Sequence, residues 1–386
     1  MEPDAILTVD ISRLMLPAKF LLGKLNLWFE SSDCEAHISR PCLILRKVFT
    51  TFILLCMTLF SLLTLANIFT FEKKSLREAT FVAVFVVRQF SSLQKCFILK
   101  LRAQRIRKLF RDAFDCARVP SMAQQEFDAF AAYCSKTQKL IVWVAVAAIA
   151  HGPIWIISIF TIFTLAFYRG KAFQFSITNF LTPVWLPSDQ NQNPTAKYVL
   201  FGLNVLCVHP FLLVMVGFFA FYVLNARLGL FMFKHLNAVL QSLQTINIAE
   251  NLPGVKKEAL NEKVNVFLTY AVINHNRSLA FIREVNKIFG STMLVDVWGI
   301  LLVQCSWIFL LASTSSLPFL RQVDLVQNIL IMTSFLGVSC FAASDISDMV
   351  AMVPTSIEST AWWTWNRDNQ QTIQIMMVCS IQRTCI

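Results

Sequence analysis

Charge is scarce in this chain. Asp, Glu, Lys and Arg make up 15% of its 386 residues and hydrophobic residues 56%, whereas a soluble domain carries about 25% charge. A string of soluble domains is thereby excluded. Glycine is scarce as well, at 10 residues, and none of them forms a phosphate-binding loop. HExxH, CxxC and Gly-x-Ser-x-Gly do not occur. His37, His151, His209, His235 and His275 are scattered, with no pair at metal-ligand spacing. The reading is of a chain that is not an enzyme and needs no cofactor or metal. A basic leader with a small-residue cleavage site is missing, for the chain opens with Glu2 and Asp4. No short internal repeat stands out.

Long apolar runs fill the space instead, with 35 Phe among them. Six are long enough to cross a bilayer, which takes about 20 residues plus an allowance for tilt. They are Val48–Phe71, Ala79–Leu99, Leu140–Tyr168, Lys197–Leu224, Ser291–Ser313 and Val326–Val350. The second is the weakest, because Arg88, Gln89 and Lys95 interrupt it. The expected fold class is all-α: a polytopic membrane helical bundle.

Basic residues orient the bundle. The segments 1–47, 100–139, 225–290 and the tail beyond 350 hold 25 of the 34 Lys and Arg. The segments 72–78, 169–197 and 314–325 hold 7. The positive-inside rule then expects a cytoplasmic N-terminus and, after six spans, a cytoplasmic C-terminus. The net charge of +11 needs no nucleic acid to explain it. Cysteines agree with this topology. Cys56, Cys96, Cys207, Cys305 and Cys340 lie in spans and the other six on the inner side, so no structural disulfide is expected. Glycosylation signals agree too: Asn193-Pro194-Thr195 is blocked by its proline, and Asn276-Arg277-Ser278 faces inward. The basic cluster from Lys100 to Arg111 reads as a topology signal with a solvated face, or as an anionic-lipid site. Residues 11–29 read as an amphipathic helix lying at the membrane surface or packed on the bundle.

The stretch Lys256–Ser313 changes character halfway. Leu260, Val264, Phe267, Leu268, Ala271, Val272, His275, Leu279, Ile282, Val285 and Phe289 form one helical stripe, with charged residues off it. From Ser291 the segment is apolar nearly all round, with Asp296 its only charge. A single helix that begins in water and ends in lipid is expected, with His275 packed or hydrogen-bonded on the stripe.

Polar residues inside a span are costly and mark function. Arg88 lies mid-span and is expected to face the interior, a cavity or a partner. Asp296 is a candidate partner, but its depth differs by roughly 9 Å at 1.5 Å per residue. Lys95 is expected to snorkel to the interface. His151-Gly152-Pro153 and His209-Pro210 interrupt two spans, either as packing kinks or as openings of a ligand cavity. The outer half of the third span carries Trp155, Ser158, Ile159 and Phe163. The second offers Phe81 and Phe85 beside Arg88, and the fourth Tyr198 and Phe201. Aromatic and apolar walls with a few hydroxyls suit a small volatile or lipophilic ligand; the same residues also serve as bundle packing or a lipid-facing surface.

Three stretches narrow the class. Pro183-Val184-Trp185-Leu186-Pro187-Ser188-Asp189 resembles the aromatic-proline-acid signature of the second outer loop in insect odorant receptors. Tyr270 through Trp298, with His275, Ile282, Glu284, Phe289 and Leu294, resembles that family's approach to its fifth helix. Ser356 to Arg383, with Trp362-Trp363, Ile375-Met376-Met377 and Gln382-Arg383, is similar to the segment before its seventh. The resemblance covers essentially the whole chain. It implies an odorant-gated cation channel subunit in a sensory-neuron dendrite membrane, joined with a common co-receptor in a heteromeric tetramer. It also implies an outer-half odorant site and inner helical extensions that anchor the subunits. Domain boundaries follow: 1–47 inner N-terminal segment, 48–224 first four spans with the pocket, 225–290 anchor, 291–350 last two spans, 351–386 inner C-terminal segment. Two departures stand out. Ala343-Ser344-Asp345 replaces the family's glycine-plus-polar pair, and the family's seventh, pore-lining span does not follow Arg383, so this sequence reads as ending before it.

Three other classes compete. A gustatory receptor channel is the nearest. A G-protein-coupled receptor requires an extracellular N-terminus, and no Asp-Arg-Tyr triplet or outer cysteine pair occurs. A transporter would show inverted repeats.

Overall fold

The structure, a computed structural model, describes residues 40–69, 76–106, 108–109, 139, 142, 146, 194–244, 246, 254–312 and 319–382. Among these residues the regular structure is helical, with no strand. The elements are α1 Arg40–Phe69, α2 Leu76–Leu101, α3 Pro194–Gln244, α4 Gly254–Ala312, α5 Phe319–Glu358, a 3₁₀ turn Trp362–Thr364 and α6 Arg367–Gln382. Helices α1 to α5 are each long and apolar enough to cross a membrane. The expected span Leu140–Tyr168, the segment 1–39 and the motif Pro183–Asp189 lie outside the described residues.

Each helix forms for a readable reason. In α1, Thr58, Ser61 and Thr64 return their hydroxyls to the carbonyls of Leu54, Met57 and Phe60, each at 2.8 Å. That local bond lets a hydroxyl sit in an apolar segment without an unsatisfied group. Met57, Phe60, Ser61 and Thr64 are buried, while Phe52, Leu55, Leu59 and Leu62 are exposed. The helix thus packs along a stripe of three- and four-residue spacing.

Helix α3 is the central element and touches α1, α2, α4 and α5. From Val216 to Phe221 every residue is buried, as expected of a helix apolar all round and surrounded by others. It runs 20 residues past the expected end at Leu224, to Gln244. Its extension is buried as well: Phe233, Leu236, Leu240 and Leu243 are sealed. Asn237 and Arg227 tie it to α5, through the Met349 carbonyl at 3.3 Å and an ion pair with Asp345.

Helix α4 carries the expected amphipathic stretch and the expected span as one uninterrupted helix through Gly290. Phe289 is fully buried at the junction, with Phe218, Phe221 and Tyr222 of α3 at centroid distances of 5.3, 5.4 and 5.7 Å. Such ring pairs add about 0.5–1.5 kcal/mol each beyond their area. Arg102, just past α2, donates to the carbonyls of Lys287 and, at 2.9 Å, of Ile288.

Helix α6 lies beside the amphipathic half of α4. The Asn366 amide donates to Asn261 Oδ1 at 3.0 Å, and Asn369 Nδ2 to the Asn261 carbonyl at 3.3 Å. Farther on, Ser380 Oγ meets His275 Nε2 at 3.0 Å. The two helices therefore run in the same direction. His275 is a hydrogen-bonded residue of the packed stripe, as the sequence suggested.

Candidate functional site

Helices α2, α3, α4 and α5 leave a partly open space between them, about 670 Å³ when the adjoining open solvent is counted. Its walls are apolar: Met215 and Phe219 from α3, Ile300 and Val303 from α4, Met332 and Phe335 from α5. Three charged residues also line it, Arg88 and Lys95 on α2 and Asp296 on α4. Arg88, Ser91 and Lys95 share one face of α2 because their spacings are three and four.

Lys95 is buried, 3% exposed, which corrects the expectation that it snorkels. Its Nζ donates to Asp296 Oδ1 at 2.7 Å and to Ser91 Oγ at 2.6 Å. Ser91 Oγ donates to the same Asp296 oxygen at 2.7 Å. The ammonium also stands 5.8 Å from the Phe218 ring centroid. A carboxylate from the neighbouring helix satisfies Lys95 where it stands, so there is no drive toward water. A buried pair of this kind is held by geometry, since each charge would be costly alone.

Arg88 lines the cavity, one of the three settings expected for it. Its Nη1 donates to Asn328 Oδ1 at 3.3 Å, and its guanidinium lies 5.5 Å from the centroid of Trp307. Asp296 takes its cation from Lys95, seven residues along α2 from Arg88, in keeping with the depth argument.

The other expected site residues divide. Phe81 is buried and Phe85 half-buried, in edge-to-face contact at 5.0 Å on α2; neither lines this cavity. Tyr198 and Phe201 belong to α3. Trp155, Ser158, Ile159 and Phe163 lie outside the described residues. Sequence reasoning missed the α4 and α5 walls, whose apolar residues look the same whether they face lipid or a cavity. It also missed Ser91, whose place between Arg88 and Lys95 at helical spacing was the available signal.

A family model described as 7tm Odorant receptor matches residues 75–385. The fold is similar to solved structures of the insect olfactory receptor OR5 from Machilis hrabei. One superposes with a TM-score of 0.70 at 12% identity, covering 96% of this chain and 88% of that one. Another, of the same receptor in complex with eugenol, gives 0.72 at 10% identity with the same coverage. No curated protein matches the sequence.

Proposed function

This chain belongs to the 7tm odorant receptor family, and from that membership we propose that it is an olfactory receptor subunit of the cell membrane of sensory neurons. It binds a small volatile or lipophilic odorant and, with a co-receptor in a hetero-oligomer, gates a cation channel. The observation that carries this reading is the apolar cavity between four membrane-length helices, with a few polar groups set among hydrophobic walls. That is the make-up of a small-ligand site. The similarity in fold to a receptor solved with eugenol supports it.

The binding wall in this proposal continues from the cavity at Arg88 along α2 to Phe85 and Phe81, which do not themselves line the cavity, and takes in Tyr198 and Phe201 of α3 with Trp155, Ser158, Ile159 and Phe163. Arg88 belongs both to this wall and to the cavity described above. The amphipathic half of α4, the extension of α3 and helix α6 form the subunit anchor on the cytoplasmic side. Gating couples the cavity to the anchor through α4, which lines the one and runs unbroken into the other.

Expression from its own gene together with the co-receptor tests the channel. Odorant-evoked cation current requiring both chains is expected. An odorant response carried by G-protein signalling without the co-receptor would overturn the reading. Phe85→Ala and Trp155→Ala are expected to raise the odorant concentration needed for half response. For the anchor, Phe267→Asp with Ile282→Asp is expected to abolish co-purification with the co-receptor. An N-terminal epitope is expected to bind antibody only after permeabilisation.

A further inference from the structure

Asp296 uses only one of its two carboxylate oxygens. It accepts hydrogen bonds from Lys95 Nζ and from Ser91 Oγ, each at 2.7 Å, and both arrive at Oδ1. Oδ2 receives none from a described residue and is not sealed inside the protein. Asp296 lines the cavity, and so do Ile300 and Val303, four and seven residues further along α4. These spacings put the three on one face of the helix, so the carboxylate adjoins an apolar wall.

A carboxylate offers about four lone-pair sites over its two oxygens. Set among apolar side chains, an oxygen without a donor is costly. A neutral O–H that reaches it forms a short, charge-assisted bond, about twice as strong as one between neutral groups. Charged ligands are disfavoured at this place. An organic acid would bring a second carboxylate against the first. An ammonium would come beside Lys95 Nζ, which already pairs with Asp296 at 2.7 Å. Esters, ethers and ketones have no donor to offer. What they accept from other groups of the cavity, Arg88 included, an alcohol accepts as well.

We infer that the cavity selects neutral hydroxyl compounds, alcohols and phenols, whose O–H donates to Asp296 Oδ2 while the apolar body packs among Phe219, Ile300, Met332 and Phe335. The inference rests on the receptor reading above and adds the ligand class. Lys95 and Ser91 act as positioning residues. They hold Oδ1 from the α2 side, which fixes the carboxylate and leaves its second oxygen to the ligand.

The test uses the full chain at neutral pH in nanodiscs of phosphatidylcholine, a lipid without hydroxyl groups. Binding of heptanol and of its isomer hexyl methyl ether is measured by calorimetry, with empty nanodiscs subtracted. Heptanol is expected to bind at least about tenfold more tightly than the ether, and hexanoate and hexylammonium more weakly than heptanol. Asp296→Asn keeps a carbonyl oxygen to accept from Lys95 and Ser91 and turns an NH₂ donor toward the ligand, which an ether meets as readily as an alcohol. That variant is expected to bind the two isomers within about threefold of each other. The wild-type ratio needs no variant, so it decides the ligand class even where the substitution prevents folding. A wild-type ratio below about tenfold, or tighter binding of hexanoate or hexylammonium than of heptanol, overturns the hydroxyl class and leaves the receptor reading standing. A preference for heptanol that survives in folded Asp296→Asn overturns Asp296 as the acceptor. If neither these four compounds nor a broad odorant panel binds, both readings fall.

Discussion

The two halves of α4 invert the usual meaning of apolar composition. The half from Gly254 to Gly290 is rich in charge, yet twelve of its residues are buried, against four in the half from Ser291 to Ala312. The apolar half instead exposes Leu294, Trp298 and Leu302, each by about three-fifths. Water would penalise that exposure heavily. A helix that packs protein with its polar half and shows apolar side chains with the other is working in two solvents. Burial therefore reports protein contact in both halves, and composition reports which solvent surrounds it.

The sharpest way to break this contrast is at the one charged residue of the apolar half. Asp296→Leu leaves the Lys95 ammonium buried without its carboxylate, and a loss of about 3–5 kcal/mol is expected. Adding Lys95→Met should restore most of the unfolding midpoint in nanodiscs; additive losses would refute the pairing. Next in size, Leu279→Ala removes a fully buried side chain from the charged half, with about 2–5 kcal/mol expected from the cavity it leaves. Denaturant titration of the purified protein measures it. At Gly229 of α3, an added Cβ would come within 2.6 Å of Ile282 Cδ1 on α4. Gly229→Val should therefore cost about 1–3 kcal/mol by overpacking, and Ile282→Ala in the same chain should relieve it in thermal melts. Ser380→Ala, which removes the hydrogen bond from α6 to His275, should cost about 1 kcal/mol, read as a small drop in the melting midpoint. Smallest of all, Leu302→Ala on the exposed face of the apolar half should stay within about 0.5 kcal/mol. A loss there as large as that of Leu279→Ala would erase the distinction between the halves.

Much of this architecture was legible in the sequence because membrane spans and amphipathic stripes are written in hydropathy and spacing. The passage from stripe to span at Gly290 could be seen without coordinates, and so could the interior setting of Arg88. The reach of α3 to Gln244 could not, because Arg227, Lys234 and His235 look like the start of a solvated loop. In the folded chain Arg227 pairs with Asp345, and His235 meets the Tyr270 hydroxyl at 2.9 Å. These partners lie 118 and 35 residues away, beyond any local pattern. Lys95 was misjudged for the same reason. Its carboxylate comes from another helix 201 residues on, and snorkelling is the expectation only for a lysine with no such neighbour. The site was less legible than the fold. Aromatic residues on α2 drew attention by type, whereas the walls from Ile300, Met332 and Phe335 depend on which way α4 and α5 are rotated about their own axes.

The unbroken course of α4 has a mechanical consequence. From Gly290 back to Gly254 it forms an arm of roughly 54 Å at 1.5 Å per residue, gripped near its base where Arg102 holds the carbonyls of Lys287 and Ile288. A tilt of about 5° at that base sweeps the far end through roughly 5 Å, about one helical pitch. Small rearrangements among the side chains around Asp296 are thus magnified with distance, and the arm's stiffness sets how much of the movement reaches its tip.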